Sequence, residues 1–174
     1  MPMRRKVEAV LRDAELRRAL LGDLAPHLDA DTLVVDELDL CGLTRVDVAV
    51  VNGHLSGFEI KGSTDSLRRL PGQVAVYSQV LDVAELVVAE NHYTRGLALL
   101  PDWWGVRVAA GGEQVHLDSA RPPQPNDAVD PRALVQLLWR DETLAELAAW
   151  PAASARSPGS SSGTAWPPRF PSTS

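Results

Sequence analysis

The sequence predicts an α/β protein in which a mixed sheet of four to five strands lies between helices. Residues 45–61 contain two apolar runs rich in Val and Ile that flank Asn52-Gly53, a strong hairpin signal. Both faces of this hairpin are apolar, which is typical of a central strand pair covered by helices on both sides. A helical stretch separates the hairpin from the apolar run 84–90, so we expect that run to pair in parallel with a hairpin strand.

The remaining elements follow from apolar periodicity and from turn residues. Asp13 is a plausible N-cap for a helix over residues 14–22. Pro71 can open a helix but disrupts one further in, so an irregular segment is expected before it. The predicted elements after the first helix are a strand 32–38, the hairpin, an irregular segment 65–70, a helix 71–81, a strand 84–90, a short helix 92–100, a strand 103–108, its hairpin partner within 111–117, and a last helix 131–149.

The domain organisation is read from composition. Residues 1–120 are expected to form one domain, and residues 121–150 a Pro-rich linker with a C-terminal helix that packs on it. Residues 151–174 contain Pro, Ser, Gly and Ala with almost no charge, so they are expected to be a disordered tail.

Three charges lie within the apolar hairpin, namely Asp47, Glu59 and Lys61. A three-residue loop with Gly53 in the left-handed conformation and a bulge is expected to pair Asp47 with Gly57. Glu59 would then lie one diagonal step from Asp47, and all three charges would share one face. The opposite face would carry Val46, Val48, Val50, Phe58 and Ile60.

A buried charge costs several kcal/mol unless it is paired or bound to a cation. The hairpin charges have two explanations, a cation site or a structural salt bridge from Lys61 to Glu59 or Asp47. Two acids beside one base leave an uncompensated negative charge, which favours the cation.

The net charge of −6 is unfavourable for a protein that holds nucleic acid by bulk charge. Any such contact would have to be local. Arg45, Lys61, Arg68, Arg69 and Arg95 either form a basic rim around the hairpin or are ordinary solvated side chains.

The compartment is read from the start of the chain and from cysteine usage. The start is charged throughout and no apolar run approaches membrane-spanning length, so neither a signal peptide nor a membrane segment is expected. A single cysteine, Cys41, fits a reducing cytoplasm.

Asp47, eleven further residues, and then Glu59-Ile60-Lys61 resemble the signature of the PD-(D/E)xK nuclease superfamily. Gln73 and Tyr77 are similar to the QxxxY element of its RecB-like branch, and Glu37 resembles the upstream acid of many members. The resemblance covers roughly residues 13–110 and is nearest to a small group of uncharacterised bacterial members. Val46 stands where the name-giving proline would be, a replacement that many members share.

The resemblance implies a restriction-endonuclease-like core and a Mg²⁺- or Mn²⁺-dependent nuclease. Asp47 and Glu59 would bind the metal with the Ile60 carbonyl, since hard oxygen ligands suit these ions. Lys61 would position or help deprotonate the attacking water, and Glu37 would assist; a strand-end carboxylate in water is the alternative for Glu37.

The implied substrate is nucleic acid, with DNA favoured over RNA, in repair, recombination or defence against foreign DNA. Its expected contacts are Gln73, Tyr77, Arg45, Arg68 and Arg69. For Tyr77 an equal alternative is a core aromatic with a hydrogen-bonded hydroxyl.

A second class of function stays open, a catalytically inactive nuclease-fold module that binds a protein partner or a second copy. Trp103, Trp104 and the C-terminal helix would form that interface. Base stacking by the two tryptophans is the less favoured interpretation, because large aromatics beside an edge strand more often belong to a core or an interface.

Overall fold

One mixed sheet organises the part of the chain that the computed structural model describes, residues 10–110 and 114–137. Its six strands lie side by side in sequence order. All neighbours are antiparallel except β3 with β4 and β4 with β5, which are parallel. The strands are β1 (Leu33–Leu40), β2 (Thr44–Val51), β3 (Leu55–Lys61), β4 (Val83–Ala89), β5 (Gly105–Ala110) and β6 (His116–Arg121).

Helices cover this sheet, as the apolar faces of the hairpin predict. They are α1 (Asp13–Leu24), α2 (Leu70–Val80), α3 (Tyr93–Leu97) and α4 (Pro131–Val135), with 3-10 turns at Ala25–His27, Leu67–Arg69 and Glu90–His92. Two apolar clusters form the core; α2 packs in one and α1 in the other. The mixed α/β class is confirmed, and the sheet has six strands instead of four to five, because β5 and β6, which correspond to the predicted strand 103–108 and its hairpin partner, both join it.

Helix α1 starts at Asp13, so Asp13 is the first helical residue and the predicted N-cap is wrong; Arg12 occupies that position. The Arg12 N–H donates to the carboxylate of Glu15 at 2.8 Å. The helix also runs past Gly22 to Leu24, because Leu16, Leu20 and Leu24 form a buried stripe at four-residue spacing.

The hairpin has the expected three-residue loop, residues 52–54, with Gly53 at a φ of +84°, but the pairing beside it is regular and lacks the expected bulge. Its register differs from the prediction: Val51 pairs with Leu55 and Ala49 with Gly57, so Asp47 does not face Gly57. The pairing ends at Val48 with Phe58, and Asp47 and Glu59 are the next residue on each strand. Odd positions still face odd ones, so the two acids share an end of the hairpin.

Strand β2 changes face at Asp47, which the sequence did not indicate. Val46 packs in the same apolar cluster as Ala49, whereas Val48 belongs to the opposite one. The predicted grouping of Val46 with Val48 is therefore wrong. The physical reason lies in β1, where the pairing skips the level of Glu37 and Asp47 and Glu37 has a φ of +54°.

The C-terminal part of the described chain is tied to α2. The Asn126 side chain donates to the carbonyls of Ser78 and Leu81 at 2.9 and 2.8 Å, and the Asp130 N–H donates to the Gln79 carbonyl at 2.8 Å. The Pro-rich stretch 121–130 thus caps the end of α2 before α4 begins at Pro131.

The described residues all belong to one unit of the chain, Met1–Trp139. Most of the predicted helix 131–149 and the predicted tail 151–174 lie outside the described residues. Within residues 10–110 and 114–137 no helix is long and apolar enough to span a membrane.

Candidate active site

The end of β3 carries two buried charges. Glu59 and Lys61 are 1% and 4% exposed, and the Lys61 ammonium forms an ion pair with Oε1 of Glu59. They meet because residues two apart on a strand point to the same face. The sequence prediction that these two residues share a face is confirmed.

Helix α2 supplies two further groups to the same carboxylate. The Gln73 amide donates to Oε1 of Glu59 at 2.6 Å, and the Tyr77 hydroxyl donates to Oε2. Gln73 and Tyr77 can both reach it because residues four apart lie on one face of a helix. Both oxygens of Glu59 therefore have hydrogen-bond donors.

The same network leaves Oε1 of Gln73 unpaired among the described residues and keeps the Tyr77 hydroxyl protonated. Oε1 of the buried Gln73 has no hydrogen-bond partner among residues 10–110 and 114–137. Burial and the nearby carboxylate of Glu59 raise the pKa of Tyr77, so its hydroxyl keeps its proton. The Tyr77 oxygen is also 2.8 Å from the Arg45 carbonyl.

Asp47 lies beside this network on β2. Its Oδ2 accepts the Ile60 N–H at 2.7 Å. Burial and the charge of Glu59 raise the pKa of Asp47 to about 6, against the opposing effects of the Ile60 N–H and of Lys61. The site thus contains more negative charge than its own cation balances.

Glu37 lies on β1 at the margin of the carboxylate network, where its charge also raises the pKa of Tyr77. It is half-exposed and lies 3.5 Å from Arg45 on β2 and 3.5 Å from Arg17 on α1. Its left-handed backbone is uncommon for a residue other than Gly. The structure therefore pairs Glu37 with Arg17 and Arg45, and its assisting role stays a prediction.

Arg17 is a component that sequence reasoning missed. Its guanidinium donates to the Asp47 carbonyl at 2.6 Å and to the Asp36 carboxylate at 2.8 Å, and it reaches Asp13 at 3.4 Å. Only the Asp13–Arg17 spacing of four residues is visible in the sequence. The contacts with β1 and β2 depend on how α1 docks.

The other predicted nucleic-acid contacts are surface residues. Arg68 and Arg69 are exposed in the 3-10 turn before α2, and the Arg45 side chain is 64% exposed. These three guanidinium groups are free to meet a ligand from solvent, apart from the contact of Arg45 with Glu37.

The two tryptophans differ from the interface expectation. Trp104 is fully buried and stacks on the Tyr77 ring, with centroids 5.5 Å apart and planes at 12°. Trp103 is partly buried and lies against Trp104 at 5.8 Å. Trp104 therefore cannot contribute to a partner interface. It packs on Tyr77 of α2, the helix whose side chains bond the Glu59 carboxylate.

A divalent cation fits the donor chemistry of this site, though only part of the expected ligand set converges. Among residues 10–110 and 114–137, no three His, Cys, Asp or Glu side chains come close enough to hold a metal ion. The charge of Glu59 acts on Asp47, and the buried Oε1 of Gln73 lacks a donor among these residues. Ile60 contacts Asp47 through its N–H. Hard oxygen atoms without donors suit Mg²⁺ or Mn²⁺.

Together, the fold and site define a mixed α/β protein whose central hairpin holds a buried carboxylate network under a helix. The chain belongs to the family described as Bacteriophage P4 protein cII, whose sequence model matches residues 6–155. Protein cII of Enterobacteria phage P4 is 33% identical over 82 residues, which are 46% of this chain and 31% of that protein. The matched stretch thus spans less than a third of that relative.

A solved structure has a related fold. It is the SPO1766 protein of unknown function from Silicibacter pomeroyi, with a TM-score of 0.52 and 18% identity. The similarity covers 79% of this chain and 86% of that one. At this identity the similarity establishes the fold alone.

Proposed function

We propose that this chain is a Mg²⁺- or Mn²⁺-dependent phosphodiesterase of the PD-(D/E)xK nuclease superfamily that cleaves nucleic acid, with DNA as the preferred substrate. The observation that carries the proposal is the pair of acids at one end of the central hairpin. Asp47 and Glu59 lie on neighbouring strands, Lys61 contacts Glu59, and Gln73 and Tyr77 reach the same carboxylate from α2. Strands β1 to β4 between helices are also what the resemblance implies.

The chemistry assigns a task to each side chain. Cleavage of a phosphodiester needs a water aimed at phosphorus and positive charge near the oxygens that become negative. Asp47 and Glu59 would hold the cation, and a bound Mg²⁺ or Mn²⁺ would supply Lewis acidity and a more acidic water. Lys61 would orient that water and screen the phosphate, while Gln73 would offer its unpaired Oε1 to a water or to substrate.

The substrate assignment depends on local positive charge, because the chain carries a net charge of −6. Arg45, Arg68 and Arg69 are exposed and would contact phosphates. Such contacts make affinity fall steeply with salt. Repair, recombination and defence against foreign DNA are the processes that use such an enzyme, and it would act in the cytoplasm.

One observation favours the alternative function, an inactive nuclease-fold module that binds a protein partner. Both oxygens of Glu59 are already engaged by Lys61, Gln73 and Tyr77. A Glu59 carboxylate that is bonded in this way can stabilise the fold without any metal. Of the surfaces first considered, Trp103 and the C-terminal helix would then form the interface, since Trp104 is buried.

Calorimetric titration with Mn²⁺, followed by cleavage assays, separates the two functions. The assays use radiolabelled single-stranded, duplex, flap and junction substrates with Mn²⁺. Heat of binding and cleavage are expected for the wild type and not for Asp47→Ala, which should fold because it relieves repulsion with Glu59. Asp102→Ala is the matched control, since this exposed residue precedes β5, which β4 separates from β3. Absence of Mn²⁺ binding and of cleavage in the folded wild type would favour the module.

A further inference from the structure

The junction between α1 and the central hairpin contains an arginine that no motif accounts for. Arg17 is only 20% exposed, and its guanidinium contacts β1 at Asp36 and Glu37 and β2 at the Asp47 carbonyl. A guanidinium presents several donors in one rigid plane, so it can hold such groups in a fixed arrangement.

The contact with Asp47 lies where the pairing of β1 with β2 is interrupted. Asp36 pairs with Val48 and Leu38 with Val46, but the level between them, Glu37 and Asp47, is not paired. A backbone carbonyl inside a protein needs a donor. Arg17 supplies that donor to the Asp47 carbonyl at 2.6 Å.

The interruption determines where the Asp47 side chain points. Side chains of a regular strand alternate, yet Val46 and Ala49 pack on the same face. Asp47 lies within this irregular stretch, and its carboxylate accepts the Ile60 N–H of β3 at 2.7 Å. A regular β2 would change this orientation and separate the carboxylate from Ile60.

We propose that Arg17 is a positioning residue, which holds the irregular segment at Asp47 so that the Asp47 carboxylate keeps its hydrogen bond to the Ile60 N–H of β3. The geometric part of this proposal stands without any enzymatic activity. Its consequence for catalysis rests on the proposed function. Arg17 is not itself assigned a contact with substrate or metal.

Hydrogen exchange of the Ile60 amide, measured by NMR on the full chain, tests the geometry. In Arg17→Met the Ile60 amide is expected to exchange about tenfold faster or more, the size of a lost bond to a charged group, and to match Asp47→Ala. The amide of Val87 on β4 serves as the internal reference, since general loss of stability would accelerate both amides. Arg18→Met, an exposed arginine on the same helix, should leave both amides unchanged.

Two further measurements make the result decisive. If Arg17→Met does not fold, Arg17→Lys is used, since lysine keeps the charge but lacks the planar set of donors; Ile60 should again be accelerated relative to Val87. Equal acceleration of the two amides, or none at Ile60, in the folded variant would overturn the proposal.

In the Mn²⁺ cleavage assay of Arg17→Met, kcat should fall about tenfold with KM little changed. Accelerated Ile60 exchange in a protein that never cleaves would reject the nuclease function and leave the role of Arg17 intact.

Discussion

Tyr77 on α2 donates a hydrogen bond to the buried carboxylate of Glu59 on β3, across eighteen residues of sequence. The ring of the same tyrosine stacks on the fully buried Trp104. The carboxylate is therefore held from the helix side by a hydroxyl whose own position is fixed by packing. This geometry accounts for a buried acid at the centre of a mainly apolar sheet.

Tyr77→Phe should destabilise the protein by about 1–3 kcal/mol, because one oxygen of a buried carboxylate loses its donor. Urea unfolding at pH 7.5 measures the change. Tyr93→Phe is the matched control, since Tyr93 packs partly buried against the same apolar cluster. Equal stabilities of wild type and Tyr77→Phe would mean that the hydroxyl contributes nothing to holding Glu59.

Lys61→Met should destabilise the metal-free protein by about 3–5 kcal/mol, because Glu59 loses its buried ionic partner. Mn²⁺ should restore much of that stability, since the ammonium no longer competes with a cation for the carboxylate, while cleavage should be eliminated. Melting curves with and without Mn²⁺ measure both effects.

The ion pair of the partly buried Arg107 with the buried Glu85 is the control for Lys61→Met. Arg107 donates to both oxygens of Glu85, at 2.9 and 3.2 Å. Arg107→Met should also destabilise the protein, but Mn²⁺ should not restore it. A loss of stability in Lys61→Met that Mn²⁺ fails to restore would show that Asp47, Glu59 and Lys61 only stabilise the fold. The nuclease proposal would then be withdrawn.

Asp47 should make stability depend on pH. Its pKa of about 6 in the folded protein exceeds the ordinary value of 3.8, so the folded state binds the proton more tightly. The resulting stability is fully present below about pH 4 and is lost as the pH rises through about 6. Asp47→Asn should remove this slope and be more stable than wild type at pH 7.5 by on the order of 1–2 kcal/mol, reduced for partial exposure.

Chemical unfolding of wild type and Asp47→Asn between pH 4 and 8 measures that slope, with Asp102→Asn as the exposed control. In wild type, saturating Mn²⁺ should reverse this pH dependence of stability, because a bound cation stabilises the ionised form of Asp47. Identical pH profiles for wild type and Asp47→Asn would contradict the raised pKa.

Gly62→Ala should destabilise the protein by about 1–3 kcal/mol, because a Cβ there would lie 2.7 Å from the Leu11 carbonyl oxygen. That backbone is fixed by two bonds, from the Leu11 N–H to the Ser63 hydroxyl and from the Ser63 N–H to the Leu11 carbonyl. Gly72→Ala, where nothing lies within 4 Å, should stabilise α2 by about 0.5–1 kcal/mol. Thermal melts compare the two variants with wild type. An unchanged melting temperature in Gly62→Ala would show that the Leu11 carbonyl leaves room for a Cβ at residue 62.

Most of the carboxylate network could be predicted from short-range patterns. Glu59 and Lys61 are two apart on a strand, and Gln73 and Tyr77 are four apart on a helix, so each pair shares a face whatever the rest of the chain does. The parallel pairing of β4 with β3 followed from the helix between them. The expected Asp47–Gly57 pairing failed because direct pairing across the loop aligns Ala49 with Gly57.

The sequence by itself determined the α/β class, the loop at Gly53 and the shared face of Glu59 and Lys61 at the end of β3, because strand and helix periods are properties of local backbone geometry. Only the tertiary structure decided the orientation of Asp47, the burial of Trp104 and the role of Arg17. Each of these depends on contacts between segments far apart in the chain, such as the 30 residues between Arg17 and Asp47. The apolar periodicity of one helix or strand contains no information about such contacts. They form only when α1 docks on the sheet where the pairing of β1 with β2 is interrupted.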